Sequence, residues 1–195
     1  MAFNVNEFRA QLVGDGARPN LFTVSLGFPS LAQDANDGAS LSQFMVKSAQ
    51  LPGSTVGTVP LYYFGRELKF AGNRTFTDWT VTVINDENFS IRNALEEWMS
   101  LINSHAGNVR NPGAISGSIG ATSAGYTVDS NVIQYGKDGS TVLKQYSFVG
   151  MFPVDISPID LDWGSNDSIE EYSVTFAYQY WTSTGVAGTT PTTDS

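Results

Sequence analysis

Few residues in this sequence combine the types and the spacing that catalysis requires. His105 is the single histidine, and it precedes a stretch rich in Gly, Ser and Ala that is predicted to be a loop. A general base must be held in place by its neighbours, so we interpret His105 as a surface residue and not as part of a Ser-His-Asp triad. Zinc sites draw several ligands from His and Cys, and with one His and no Cys such a site is close to excluded.

Asp160 and Asp162 are the most promising pair of carboxylates. In an extended segment, residues two apart share a face, so the pair could hold a metal ion or act on a glycoside. The flanking Leu161 and Trp163 are then expected to point the opposite way, into the core. An edge strand has the same pattern, and we favour that interpretation over a hydrolase.

The other candidate sites are weaker. The segment 117–120 is Gly-rich, but it lacks the Lys and the Ser or Thr that a phosphate-binding loop needs, so we expect a flexible surface loop. We interpret the acidic pairs 86–87 and 170–171 as turn and helix-start charges. The sequence therefore predicts no catalytic residue, no metal site and no cofactor, and we expect no enzyme activity.

Composition indicates a globular chain with no specific nucleic-acid site. The 195 residues suit one domain with a tail, which we place at 1–181 and 182–195, the latter Thr/Gly-rich and flexible. The net charge is −9, and the ten basic residues are scattered, whereas phosphate binding needs clustered Lys and Arg. No signal peptide and no run of about 18 apolar residues is present, so we expect no membrane contact.

Hydrophobic periodicity predicts a mainly β fold. A short N-terminal helix is expected after Asn4, and an amphipathic helix is expected at 88–103, with Asn88 or Ser90 as its cap. Strands are predicted at 20–28, 42–48, 75–84 (with a bulge near Thr77), 127–135, 141–149 and 169–181. Loops are predicted at 29–41 and 103–126, and irregular chain at 151–167. Six or seven strands with one packed amphipathic helix and a short N-terminal helix indicate a β-sandwich or barrel-like sheet.

One segment is rich in aromatic residues although Pro and Gly interrupt it. Residues 58–72 hold Tyr62, Tyr63 and Phe64 between Pro60 and Gly65, and we predict a projecting hairpin or long loop. Aromatic side chains on such segments often anchor interfaces, although they could also fold back onto their own core.

Three stretches follow one another along the chain: 17–22 (ARPNLF); 51–53 (LPG) with 66–83 (RELKFAGNRTFTDWTVTV) and 85–87 (NDE); and 150–153 (GMFP) with 159–163 (IDLDW) and 171–181. In this order they resemble the tail tube protein of contractile-tailed bacteriophages. Together they span most of the chain from 17 to 181. The sequence departs from the family pattern in longer loops at 29–41 and 103–126 and in an extra tail after Trp181.

The resemblance implies a structural virion protein and not an enzyme. Its subunits are expected to join as six-fold rings that stack into a tube inside a contractile sheath. The implied partners are further copies of itself, the tail sheath protein, baseplate and tail terminator proteins, and a tape measure protein in the lumen. DNA would pass through non-specifically, aided by acidic residues that face the lumen and repel phosphates. The implied location is the virion tail, after assembly in the host cytoplasm.

The resemblance also suggests interface residues. A long hairpin is expected at 59–72, so the ring-stacking candidates are Leu61, Tyr62, Tyr63, Phe64 and Arg66, with Arg66 pairing to a carboxylate across the ring boundary. The outer side of the amphipathic helix is expected to meet the sheath, which makes Arg92, Glu96 and Glu97 the sheath-facing candidates.

Three alternatives remain open from the sequence. A baseplate-proximal tube initiator, or a tube protein of a contractile injection system, would share the same fold. A monomeric β-sandwich module could bind carbohydrate through the exposed aromatic residues. A hydrolase that uses Asp160 and Asp162 has the least support.

Overall fold

The computed structural model describes residues 5–12, 14, 16–30, 35–109 and 125–185. Three helices lie in this part of the chain: α1 (Val5–Gln11), α2 (Ala35–Met45) and α3 (Ser90–Ile102). Nine strands lie there as well: β1 (Phe22–Ser25), β2 (Val46–Ala49), β3 (Ser54–Tyr63), β4 (Arg66–Phe76), β5 (Trp79–Ile84), β6 (Val128–Tyr135), β7 (Val142–Ile156), β8 (Glu171–Ala177) and β9 (Tyr180–Gly185). The predicted mainly β class is confirmed.

The long strand β7 joins the two halves of the main sheet. The strand order is β1-β6-β7-β8-β5-β2, and β9 pairs with β7 beside this path. Residues 144–149 of β7 lie between β6 and β9, whereas residues 152–156 pair with β8. Gly150 lies between these halves with a φ of 66°, a conformation that glycine adopts without steric cost, and its N–H donates to Asp129 Oδ1 at 3.0 Å. The strand therefore turns a corner, as in sandwiches whose strands change sheets.

The core lies between this bent sheet and α3. Alternate residues of β5 and β8 point inward, as the period of a half-buried strand requires, and α3 adds the apolar stripe that was predicted from its spacing. Trp79 stacks on Phe148 with ring centroids 4.4 Å apart, and Phe176 contacts both Trp79 and Trp98. The buried side chains shared by these elements are Trp79, Val81, Val83, Ile91, Leu95, Trp98, Phe148, Tyr172, Val174 and Phe176.

Helix α2 occupies residues 35–41 of the predicted loop at 29–41 and residues 42–45 of the predicted strand at 42–48. The segment is rich in Asn, Asp, Gly and Ser, which favour helices weakly, so tertiary contacts must stabilise it. The buried Ser42 hydroxyl accepts a hydrogen bond from Leu26 N–H at 3.1 Å and donates to Ala39 O at 2.8 Å. Gly38 lies so close to α3 that a Cβ there would come within 3.0 Å of Ala94 Cβ. This close packing of α2 on α3 and β1 cannot be seen in local patterns.

Two strand predictions and one prediction of irregular chain were also wrong in their limits. The segment 75–84 belongs to two strands, since Phe76 ends β4 and Trp79 begins β5. The predicted bulge near Thr77 is therefore not needed to explain why Phe76 and Trp79 break the alternation. The segment 169–181 is also two strands, because the chain turns after Ala177 and Gln179 N–H donates to Val149 O at 3.0 Å. The expected irregular chain at 151–167 instead begins as part of β7. Pro153 is tolerated there because the register shifts next to it.

The ends of the elements refine the remaining predictions. Helix α1 is confirmed, although its proposed cap Asn4 lies outside the described residues. Most of the predicted loop at 103–126 and of the predicted tail at 182–195 also lies outside them, at 110–124 and 186–195. Strand β9 runs to Gly185, beyond the predicted domain end at 181. Neither Asn88 nor Ser90 caps α3. Phe89 occupies the cap position in a left-handed conformation, and Asp86 accepts from Ser90 N–H at 3.0 Å and from its hydroxyl at 2.8 Å.

We predict that Phe176→Ala lowers the free energy of unfolding by about 3–5 kcal/mol, because it leaves a cavity between two buried indoles. Urea denaturation of unassembled protein measures this change. The control is Thr175→Ala on the same strand, whose partly exposed hydroxyl forms a hydrogen bond with the hydroxyl of Thr80. A loss for Phe176→Ala no larger than that of the control would contradict the assignment of Phe176 to the core.

Candidate assembly interface

The residues weighed as catalytic candidates, His105, Asp160 and Asp162, are all exposed. The segment 157–170 links β7 to β8, and its Leu161 and Trp163 are 81% and 104% exposed, so the prediction that they point into the core was wrong. His105 is exposed, and it lines a cavity together with Glu96, Met99, Asp155 and Ile156. In the described residues, no group of three or more His, Cys, Asp and Glu side chains could hold a metal ion. The acidic pairs 86–87 and 170–171 take part in hydrogen bonds within the fold; for example, Asn85 Nδ2 donates to Glu170 Oε2 at 2.9 Å.

The predicted hairpin is confirmed, and it projects from the domain. Strands β3 and β4 pair with each other and form a separate two-stranded sheet. Every residue of β3 is exposed, and so is nearly all of β4. The aromatic residues at its end do not fold back onto the core: Tyr62, Tyr63 and Phe64 are 69%, 65% and 93% exposed.

The strand register gives the hairpin an apolar face. In an antiparallel pair, residues directly opposite each other share a face, and so do residues two apart. Leu61 opposes Leu68 and Tyr63 opposes Arg66, whereas Tyr62 lies on the other face opposite Glu67. We use the name apolar face for the first of these surfaces, which is formed by Val59, Leu61, Tyr63, Arg66, Leu68 and Phe70. The five predicted stacking residues are thus divided between the two faces and the turn.

The turn at the end of the hairpin holds an aromatic residue in an unfavourable conformation. Phe64 and Gly65 have φ angles of 46° and 80° and connect the paired residues Tyr63 and Arg66. Positive φ at both positions is the two-residue hairpin turn that favours Asn-Gly. A left-handed conformation costs a residue such as Phe about 1–2 kcal/mol. The Phe64 ring also packs edge-on against Tyr63, with centroids 4.6 Å apart. The turn therefore holds the Phe64 ring exposed at the tip of the hairpin at a local conformational cost.

Two indole groups anchor the root of the hairpin to the domain. Trp79 Nε1–H donates to Gln50 O at 2.7 Å, and Trp181 Nε1–H donates to Gly53 O at 3.2 Å. Phe76, the last residue of β4, packs against the rings of Tyr178 and Trp181. The pKa of Tyr178 is raised, chiefly by burial and also by Asp78, so its ring serves as neutral packing surface. These contacts fix the direction in which the hairpin leaves the sheet.

The predicted sheath-facing residues lie on α3 and differ in exposure. Arg92 is only 21% exposed at its side chain; its Nε donates to Glu96 at 2.9 Å, and it also reaches Ser157 O at 3.3 Å. Its guanidinium lies 5.2 Å from the ring centre of Tyr172, whose pKa is raised by burial, with Arg92 opposing the shift. Glu97 is half-buried, and the Glu96 side chain is 55% exposed. Arg92 therefore acts mainly through contacts within the domain.

Comparison with known proteins shows the family of this chain. Residues 17–184 match the protein family described as "Phage tail tube protein". The chain belongs to the phage tail tube protein family. It is 35% identical over 173 residues to the tail tube protein gp19 of Enterobacteria phage T4. The aligned residues cover 89% of this chain and 95% of that protein. It is 27% identical to the tail tube protein of Serratia phage KSP90 over 176 residues, 89% of this chain and 93% of the relative.

Solved structures share the fold of this tail tube protein at lower sequence identity. The tube-terminating cap of the anti-feeding prophage has a TM-score of 0.61 at 16% identity, with 88% of this chain and 92% of that chain covered. A chain of the sheath–tube complex of the extracellular contractile injection system PVC has a TM-score of 0.56 at 15% identity, over 95% of this chain and 100% of that chain.

These findings confirm the resemblance to tail tube proteins and, with it, the predicted function as a structural tail tube protein of the virion tail. The curated relatives are likewise structural tube proteins. In the described residues, no helix is long and apolar enough to span a membrane.

We predict that Trp181→Phe loosens the root of the hairpin without changing the fold. The variant keeps an aromatic ring but loses the hydrogen bond to Gly53 O, which is worth about 0.5–1.5 kcal/mol. Amides at 54–56 should then exchange roughly 2- to 10-fold faster by hydrogen–deuterium exchange. The control Trp163→Phe changes an indole that is fully exposed, and it should leave these amides unchanged. Equal exchange in both variants would contradict the anchoring role.

Proposed function

We propose that this chain forms six-membered rings that stack into the tail tube, which conducts DNA inside a contractile sheath. One observation carries the proposal: the apolar face of the hairpin is exposed along its length, and the domain's own core does not cover it. Exposed apolar patches of this kind mark interaction sites. Since a tube consists of many copies of one subunit, the simplest cover is another copy.

Ring formation is supported by the sheet edges. Among the described residues, β1 and β2 end the main sheet, and β9 has a strand partner on one side only. Open edges present unpaired N–H and C=O groups, and a closed ring of subunits removes them by pairing edge to edge. The net charge of −9 is repeated in each subunit, so acidic residues at the lumen would repel phosphates and let DNA pass without binding.

The partners follow from the same role. The structural relatives were solved in a sheath–tube complex, in a sheath/tube terminator and in a baseplate, which supports sheath, terminator and baseplate proteins as partners of this tube. A tape measure protein in the lumen completes the set. On α3, Glu96 is the most exposed of the three sheath-facing candidates, so the sheath contact is centred on Glu96 with Glu97 beside it.

We predict that Phe64→Asn shortens tubes while it preserves the hairpin. Asn-Gly is favoured in this turn type, so the variant keeps the backbone and removes only the aromatic side chain. Truncating an aromatic interface anchor typically costs about 2 kcal/mol or more, so the concentration needed for assembly should rise roughly 30-fold. Negative-stain electron microscopy and sedimentation of purified protein measure this. Tyr63→Ala with Phe64→Ala should have a larger effect at unchanged circular dichroism.

Phe44→Asn is the matched control, because Phe44 is 78% exposed but lies on α2, away from the hairpin. Tubes of normal length in Phe64→Asn would contradict a stacking role for the turn. Copy number separates the remaining alternative: a tube initiator would be present as one ring in each particle, whereas the main tube subunit fills the length of the tail.

A further inference from the structure

The hairpin and the segment 157–170 lie at opposite ends of the sheet. Trp79, which follows the hairpin, pairs with Phe176, and Ile84 at the far end of β5 pairs with Glu171. The segment 157–170 joins β8 at Glu171. The six residues of β5, at about 3.3 Å each, therefore separate the two features by roughly 17–20 Å. A contact between them within one molecule would require the hairpin to fold back along the sheet, and its anchored root opposes that.

The segment 157–170 is acidic and exposes large apolar side chains. We call it the acidic loop. It contains Asp160, Asp162, Asp167 and Glu170 and no Lys or Arg. Besides Leu161 and Trp163, Ile169 is 72% exposed. Lys47 pairs with Glu171, and Arg92 pairs with Glu96 and also donates to Ser157 O of the loop.

The hairpin has the opposite charge. Residues 54–76 contain Arg66, Lys69 and Arg74 against the single acid Glu67, in a chain that is acidic overall. All four side chains are exposed. Arg66 shares the apolar face with Tyr63, so a cation and an aromatic ring lie side by side near the turn. The acidic loop presents the complementary pair, a carboxylate next to an indole.

We propose that the acidic loop is the receptor for the hairpin of the copy in the next ring. The proposal rests on the proposed stacking into a tube. Copies that stack head to tail need two different complementary surfaces at opposite ends, because each contact repeats without closing. Trp163 and Leu161 cover the apolar face of the incoming hairpin, and Asp160 and Asp162 pair with Arg66. Aromatic and arginine side chains anchor interfaces, and complementary charge sets the register of docking.

A charge-swap experiment tests the pairing. Asp160→Lys with Asp162→Lys, and separately Arg66→Glu, should each raise the concentration needed for tube assembly roughly tenfold or more, because like charges then meet. The three changes together restore attraction, so assembly should return to within about threefold of the original protein. A combined variant that assembles no better than either of the two partial variants would overturn the proposal.

Cross-linking gives an independent readout, because the chain has no cysteine. Leu68→Cys with Ser165→Cys places one thiol beside each proposed anchor and keeps Tyr63 and Trp163 in place. A short thiol-specific cross-linker should join these positions between successive copies and give a ladder of covalent oligomers from tubes. The single variants should give no ladder beyond dimers, and neither should Leu68→Cys with Phe44→Cys, whose second thiol lies on α2.

The outcomes separate this inference from the proposed function. Tubes that form normally but yield no ladder would overturn the acidic loop as receptor and leave the tube intact. If the unaltered protein forms no tubes at concentrations where its relatives do, the proposed function fails, and the inference fails with it.

Discussion

The direction of the hairpin is the constraint on which the assembly depends. An isolated two-stranded hairpin is at best marginally stable in water, and no third strand joins this one within the part of the chain that the structure describes. Its root is instead tied by the indole N–H groups of Trp79 and Trp181 and by the packing of Phe76. Because the root belongs to the rigid core, an exposed apolar surface is held away from the domain at a defined angle. That geometry suits contact with another copy.

The core provides the rigidity that such anchoring needs. Trp79 both stacks on Phe148 in the core and donates to the hairpin root, so the same side chain links packing with the projecting element. The bend of β7 at Gly150 lets one strand contribute to both halves of the sheet. The opposite end carries the acidic loop, whose Leu161, Trp163 and Ile169 are exposed, whereas its Ile159 packs against the core. Stability and assembly thus use different surfaces of a single domain.

Local patterns predicted the features that depend on short-range physics. The alternation in β5 and β8 and the helical spacing of α3 identified the core faces, and the aromatic run between Pro60 and Gly65 identified the hairpin. Helix α2 was missed because its residues have weak helix propensity and its packing, through Ser42 and Gly38, joins distant parts of the chain. The spacing of Asp160 and Asp162 allows a carboxylate pair on one face, but the exposure of the intervening Leu161 cannot be read from alternation alone.

The central claim is that another copy covers the aromatic end of the hairpin in the assembled tube. Hydroxyl-radical footprinting of Tyr63 and Phe64, in unassembled protein and in intact tubes, tests it most directly. The account predicts strong oxidation of both rings before assembly and at least roughly tenfold protection after it, because well-packed interface cores exclude water. Equal oxidation in the two states would contradict it, since the apolar face would then remain open to solvent in the finished tube.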